Sequence, residues 1–272
     1  MSARFLICLL LLNAAAFAEP KRLLLVGQGP DGHPPTTHEY MAGVRVVQEL
    51  LRPYAEQIQI TTAKADEPWP EGPALIDKAD GIVMQVTQGA RWMQSDPERY
   101  AALKRLAERK GAIVALHWAV GAYDAQYIAG QVALLGGSRG GPQRKYKVLE
   151  NDIHLGERAH PILRGLGDFR INDEFYYRLD LAPASPAFHP LLTTNIDGNE
   201  ETIGWALDRP DGGRSFGYVG IHFFENWKRE EYRRFVMQGI LWSLGIDIPK
   251  EGAKVDVDPS VLVLPKAPEK GK

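Results

Sequence analysis

Residues 81–118, GIVMQVTQGARWMQSDPERYAALKRLAERKGAIVALHW, decide the fold. Two short runs dominated by Val, Ile, Met and Ala, at 81–87 and 112–118, flank a helix-like segment at 97–109. Runs that are apolar at nearly every position, rather than at alternate ones, suit strands buried on both faces. Such strands occur in parallel sheets covered by helices. The same rhythm precedes and follows this βαβ unit. Residues 23–26 and 58–62 read as strands, 39–51 as the helix between them, and 121–135 as a further helix. Thr36 with Glu39 three residues on, after Pro34 and Pro35, has the pattern of a capping box starting the first helix. The expected architecture is α/β, a flavodoxin-like three-layer sandwich with a mainly parallel central sheet.

The second half is less regular. Apolar runs at 146–149, 175–181, 191–196 and 214–221 predict added strands and a mixed, partly antiparallel edge. A last helix at 229–244 carries Tyr232, Phe235, Val236 and Trp242 at helical spacing and stops at Gly245. Beyond Pro249 the chain is rich in Lys, Pro, Asp and Glu, which predicts a flexible tail over 250–272, with 261–264 as an apolar exception.

With 272 residues, 44% of them hydrophobic and 24% charged, the chain can bury a full core, and its composition excludes disordered, collagen-like and coiled-coil classes. A formal charge of -2 and the absence of a basic block argue against nucleic acid as a partner. Arg4, the apolar run at 5–12 and Ala16-Phe17-Ala18 before Glu19 have the pattern of a cleaved export signal over 1–18. The run is shorter than the ~20 residues needed to span a bilayer. The expectation is a folded domain over 19–249, periplasmic or secreted, with no membrane association after cleavage. The only cysteine, Cys8, lies inside the signal, so the exported chain has no thiol for a disulfide, a nucleophile or a metal.

Several motifs invite a chemical reading. Gly27, Gly29 and Gly32 spell G-x-G-x-x-G after the first strand, but His33-Pro34-Pro35 stands where a dinucleotide site needs its helix to open. Gly213 to Gly217 matches G-x-S-x-G around Ser215, yet it leads into a strand instead of a helix. Gly136 to Gly141, with Arg139 inside, reads as a mobile loop or as an anion cradle of backbone N–H groups. The histidines are more informative. His38 is expected in the first turn of the first helix, while His117 and His222 end strands. In an open α/β sheet the carboxyl ends of strands and the amino ends of the following helices meet in one crevice, so these residues are expected to converge. A helix amino end also lowers a histidine pKa, keeping His38 neutral. Asp173-Glu174 supplies a carboxylate pair at a strand start, of which only one can face the crevice. His160 before Pro161 reads as structural, and His33, His154 and His189 have no distinguishing context.

The segment 213–248, with Gly-Arg-Ser-Phe-Gly-Tyr-Val-Gly-Ile-His-Phe and then Gly-Ile-Leu-Trp-Ser-Leu-Gly-Ile, resembles the C-terminal signature of the ThuA-like (trehalose utilisation) family. His160-Pro161-Ile162 before Gly165-Leu166, Asp173-Glu174 with Tyr176, Trp205, and Leu116-His117-Trp118 match it as well. The resemblance spans residues 21–249 and implies a class I glutamine amidotransferase-like fold, with His117 at the position of the amidotransferase cysteine. It therefore implies no glutaminase activity, because no attacking thiol is present. It implies instead carbohydrate metabolism, with an oxidised 3-keto glycoside as the ligand class. Either His117 or His38 would be the base, with His222 and Glu174 polarising the keto oxygen or protonating the leaving group. Trp118 and Trp205 would stack on the sugar, and Asp173 would contribute to its binding. Two alternatives stay open at this point. His38, His117 and His222 could hold a divalent metal such as zinc, or the chain could be an exported carbohydrate-binding module without catalysis.

Overall fold

The computed structural model describes residues 19–264; the signal expected over 1–18 lies outside the described residues. Strands β1 (Lys21–Gly27), β2 (Ile58–Lys64), β3 (Gly81–Gln85) and β4 (Ala112–Leu116) pair in parallel. Every residue of β3 and β4 is buried, as strands covered on both faces require. Between and after them run α1 (Tyr40–Leu51), α2 (Gly72–Lys78), α3 (Gly89–Gln94), α4 (Pro97–Glu108) and α5 (Ile128–Leu135). The start of α4 is encoded locally. Asp96 accepts from the N–H groups of Glu98 and Arg99 at 2.9 and 3.1 Å, and Pro97 opens the helix.

The second half adds β5 (Gly137–Ser138), β6 (Lys145–Leu155), β7 (Phe169–Tyr177), β8 (Asp180–Leu181), β9 (Phe188–Ile196), β10 (Asn199–Asp208) and β11 (Arg214–Tyr218). The nine-stranded sheet has the order β2-β1-β3-β4-β11-β10-β9-β6-β7, while β5 and β8 form a separate two-stranded ribbon. Because β11 joins β4 in parallel, five strands deliver their carboxyl ends to one edge; the other four form the antiparallel side. Helix α6 (Glu230–Ser243) packs Tyr232, Phe235, Val236 and Leu241 into the core, each burial contributing about 2 kcal/mol.

Four local expectations are corrected. First, α1 begins at Tyr40, so His38 precedes the helix and lies outside its first turn. Only half of the capping box forms: the Glu39 carboxylate accepts from the Thr36 N–H at 3.0 Å, but Thr36, at φ 73°, caps nothing. Second, residues 121–127 stay out of α5, because Gly121 pairs in extended form with Arg139. Third, Asp173-Glu174 sits within β7, well after its start at Phe169. Fourth, residues 250–264 pack against the body. Ala253 and Val255 are buried, Gln238 accepts from the Ala253 N–H at 2.7 Å, and Arg233 donates to the Val255 carbonyl at 2.9 Å. The tail is thus held through its backbone, which composition does not reveal. Ser215 is a buried strand residue whose hydroxyl donates to the Leu134 carbonyl at 2.6 Å.

His160 provides a pH-dependent contribution to stability. Its Nδ1 accepts from the Ile162 N–H at 3.2 Å, capping a short turn at Pro161–Leu163, and an accepting nitrogen must be unprotonated. Burial, and then the neighbouring His189, lowers its pKa to about 4. The unfolded chain takes up this proton near pH 6.5 while the folded chain resists it. Stability from this group is therefore present above pH 6.5 and is lost as the pH falls through 4. The expected loss is about 2 kcal/mol once partial solvent screening of the ring is allowed for. His160→Asn, which can still cap, should flatten the decline in urea unfolding between pH 6.5 and 4; an unchanged slope would remove His160 as its source.

Candidate functional site

The carboxyl edge of the parallel sheet brings His38, His117, His222 and Glu174 together. His117 follows β4 directly and adopts φ 52°, the left-handed conformation, at the start of a short helical turn. A bulky side chain held there at a strand-to-helix turn is displayed above the sheet, as a nucleophile elbow displays its residue. His38, also at φ 52°, is tied to the second strand end, because its N–H donates to the His222 carbonyl at 3.2 Å. Ile221 takes φ 80°, a costly conformation for a β-branched residue. Asp173 holds it there, accepting from the N–H groups of Ile221 at 2.7 Å and His222 at 3.2 Å and from the Tyr232 hydroxyl at 2.9 Å.

Three imidazole nitrogens face one another. His38 Nε2 lies 3.0 Å from both His117 Nε2 and His222 Nδ1, and those two are 3.1 Å apart. Glu174 reaches toward the same point, 3.6 Å from His222 Nδ1 and 3.9 Å from His117 Nε2. Alternation along β7 sends Asp173 to the opposite side, where it is fully buried and acts on the backbone of the site; it does not serve the binding role expected for it.

Burial is the main cause of the pKa shifts. It holds His117 well below the ordinary histidine value, with the charges of His38 and His222 adding to it. His222 is lowered to about 4 by burial and by His38 and His33, and His38 is lowered by burial against the pull of Asp31. All three are neutral at pH 7, His38 through desolvation and not through a helix end. Glu174 is raised by burial, with Arg139 opposing. Burial also pushes Asp31 up, but hydrogen bonds from His38, Tyr40 and His33 outweigh it and keep the carboxylate ionised.

Asp31, Tyr40, Tyr176, Arg139 and His33 join the site without having been singled out for it. Asp31, in the glycine loop after β1, accepts from His38 Nδ1 at 2.9 Å and from the Tyr40 hydroxyl at 2.6 Å, while His33 stacks on the His38 ring at 3.7 Å. The Tyr176 hydroxyl is 3.2 Å from His117 Nε2. The Arg139 guanidinium lies 4.5 Å over the Trp118 ring and 4.4 Å over Tyr176, and its buried Nε has no hydrogen-bond partner among the described residues. Trp118 is thus a wall under Arg139 with little face left for a sugar. Trp205 is corrected outright: it is fully buried in the core, donating to the Leu135 carbonyl at 2.8 Å. A cleft of about 420 Å³, lined by Asp31, His33, Tyr40, Lys64 and Leu264, reaches the cluster at His38.

The strand order and the helices on the parallel sheet make this an α/β fold with a strand-to-helix turn over its parallel edge. The family model for ThuA, trehalose utilisation, matches residues 25–243, and the chain belongs to that family. A ThuA-like protein from Parabacteroides merdae is 16% identical, covers 88% of this chain and 96% of its own, and superposes with a TM-score of 0.63. A second from Bacteroides uniformis is 14% identical, with coverage of 88% and 98% and a TM-score of 0.63. A cytoplasmic protein from Salmonella typhimurium is 13% identical over 84% of this chain and 99% of its own, with a TM-score of 0.51. At these identities the solved structures share the fold alone. No curated protein sequence matches the chain. Family membership indicates a role in carbohydrate utilisation. Among the described residues no helix is long and apolar enough to cross a membrane.

Proposed function

We propose that the chain is an exported enzyme that cleaves an oxidised, 3-keto glycoside by acid–base elimination. The observation that carries this reading is the convergence of His38, His117, His222 and Glu174 at one sheet edge, in a family of sugar utilisation. A 3-keto group acidifies the C2–H bond. A base takes that proton, and the electron pair of the C–H bond passes into the C2–C3 enolate. The enolate then forms the C1–C2 double bond as the C1–O glycosidic bond breaks, and the departing oxygen is protonated. The step consumes neither water nor an oxidant.

Glu174 is placed to move the proton. Its raised affinity brings it nearer the working pH, and its side chain keeps 12% of its surface open while the histidine nitrogens point at each other. The neutral histidines line the polar pocket, and the buried Arg139 Nε, which has no partner among the described residues, supplies an unused donor for the keto oxygen. Incubated with 3-keto-trehalose, the purified protein should release free glucose and leave an unsaturated keto sugar. Measurable binding with unchanged substrate would reject the reaction in favour of a carbohydrate-binding module.

A further inference from the structure

We infer that His38, His117 and His222 form a binding site for one divalent transition-metal ion of the zinc class, with Glu174 beside it as the base of the proposed reaction. The inference concerns the site of the proposed reaction and would give that reaction its Lewis acid, but it is read from proton accounting and not from turnover.

His38 Nδ1 faces the Asp31 carboxylate, which only accepts, so Nδ1 carries the proton and Nε2 presents a lone pair. His117 Nδ1 lies 2.7 Å from the Val219 carbonyl, which also only accepts, so its Nε2 presents a lone pair as well. These two lone-pair nitrogens stand 3.0 Å apart. His222 Nδ1 completes the triangle and has at most one proton to give, which can lie along only one edge. Yet all three edges have hydrogen-bond length. The Tyr176 hydroxyl can serve His117 from outside the triangle, but it does not account for the edges. A cation shared by three lone pairs accounts for all of them. A zinc-class ion held by these three nitrogens would supply a Lewis acid at the sheet edge.

The surroundings are those of a metal site. The donor atoms of all four residues lie within 4.8 Å of one another. A carboxylate and a backbone carbonyl fix the tautomers of His38 and His117, the outer shell that orients imidazole ligands toward an ion. The Tyr40 hydroxyl in turn fixes Asp31. Three imidazoles suit zinc, copper, iron or nickel and do not suit calcium or magnesium, which prefer all-oxygen sets. Asp31, His33 and His38 also cluster, but His38 Nδ1 is committed to Asp31, so that group is support for the first site and not a second one.

The test uses the purified full-length protein, stripped with a chelator, freed of it, and titrated with Co²⁺ and then Zn²⁺ alone. The expected result is one ion per chain by elemental analysis, with visible d–d absorption for cobalt that zinc displaces. His117→Gln and His222→Gln should each weaken affinity by more than ~100-fold, and Asp31→Asn, outside the ligand set, by ~10–100-fold. Melting curves establish that each variant folds, and Asp31→Asn keeps the test decisive if a ligand variant does not. No stoichiometric uptake by the folded wild type, or uptake indifferent to these changes, would overturn the site. Folded protein that takes up no ion and still cleaves 3-keto-trehalose would overturn the site and keep the reaction. Metal-loaded protein that cleaves none would keep the site and overturn the reaction.

Discussion

His117→Ala is expected to lower the rate of 3-keto-glycoside cleavage by about 10³-fold, the scale of a lost acid–base or polarising group, while changing stability by no more than about 2 kcal/mol. The stability change is bounded because two effects oppose. The variant loses the 2.7 Å bond to the Val219 carbonyl and places alanine at φ 52°, but it also relieves the crowding of lone-pair nitrogens at 3.0–3.1 Å. A purely structural histidine predicts the reverse pattern, a large fall in melting temperature with activity retained per folded molecule. Turnover and thermal unfolding measured on one preparation separate the two.

The second large effect falls on stability and comes from Asp173→Asn. One carboxylate oxygen accepts from the Ile221 N–H and the Tyr232 hydroxyl; the other accepts from the N–H groups of His222 and Glu174. An asparagine keeps one acceptor and turns an NH₂ group toward two buried donors, whichever way it flips. Stranded buried donors and the loss of a charge-assisted network predict a cost of about 3 kcal/mol. Ile221, held at φ 80° by this carboxylate, would relax and carry His222 with it. Asp173 is therefore a positioning residue, and the variant should lose metal affinity and turnover together with stability. Unfolding within about 1 kcal/mol of wild type would contradict this account of the His222 turn.

The parallel half of the sheet was legible because β3 and β4 are buried at every residue, and a continuous apolar run reports that directly. β10 was not, since Glu200 and Glu201 lie in its exposed first half and its pairing with β9 and β11 is a long-range event. The docked segment at 250–264 was legible only as the apolar exception at 261–264. Arginine and glutamine side chains hold the backbone at 253–255, which composition does not report. At the site, the end of β4 located His117; β11 stops at Tyr218, four residues short of His222, and His38 lies just ahead of its helix. Asp31 and Arg139 lie in loops that acquire their direction only when the chain closes, Asp31 against His38 and Tyr40, Arg139 between Trp118 and Tyr176. The two tryptophans read for sugar stacking, Trp118 and Trp205, were ambiguous in principle, because a large aromatic that fills a core and one that lines a cleft look alike in sequence.

The central claim is that this histidine and carboxylate cluster takes the proton from C2 of an oxidised sugar. It is tested most directly by proton NMR of 3-keto-trehalose with the protein in D₂O. The account predicts loss of the C2–H signal and release of glucose, both abolished in His117→Ala. A C2–H signal that persists while the protein is folded and the sugar is bound would contradict it.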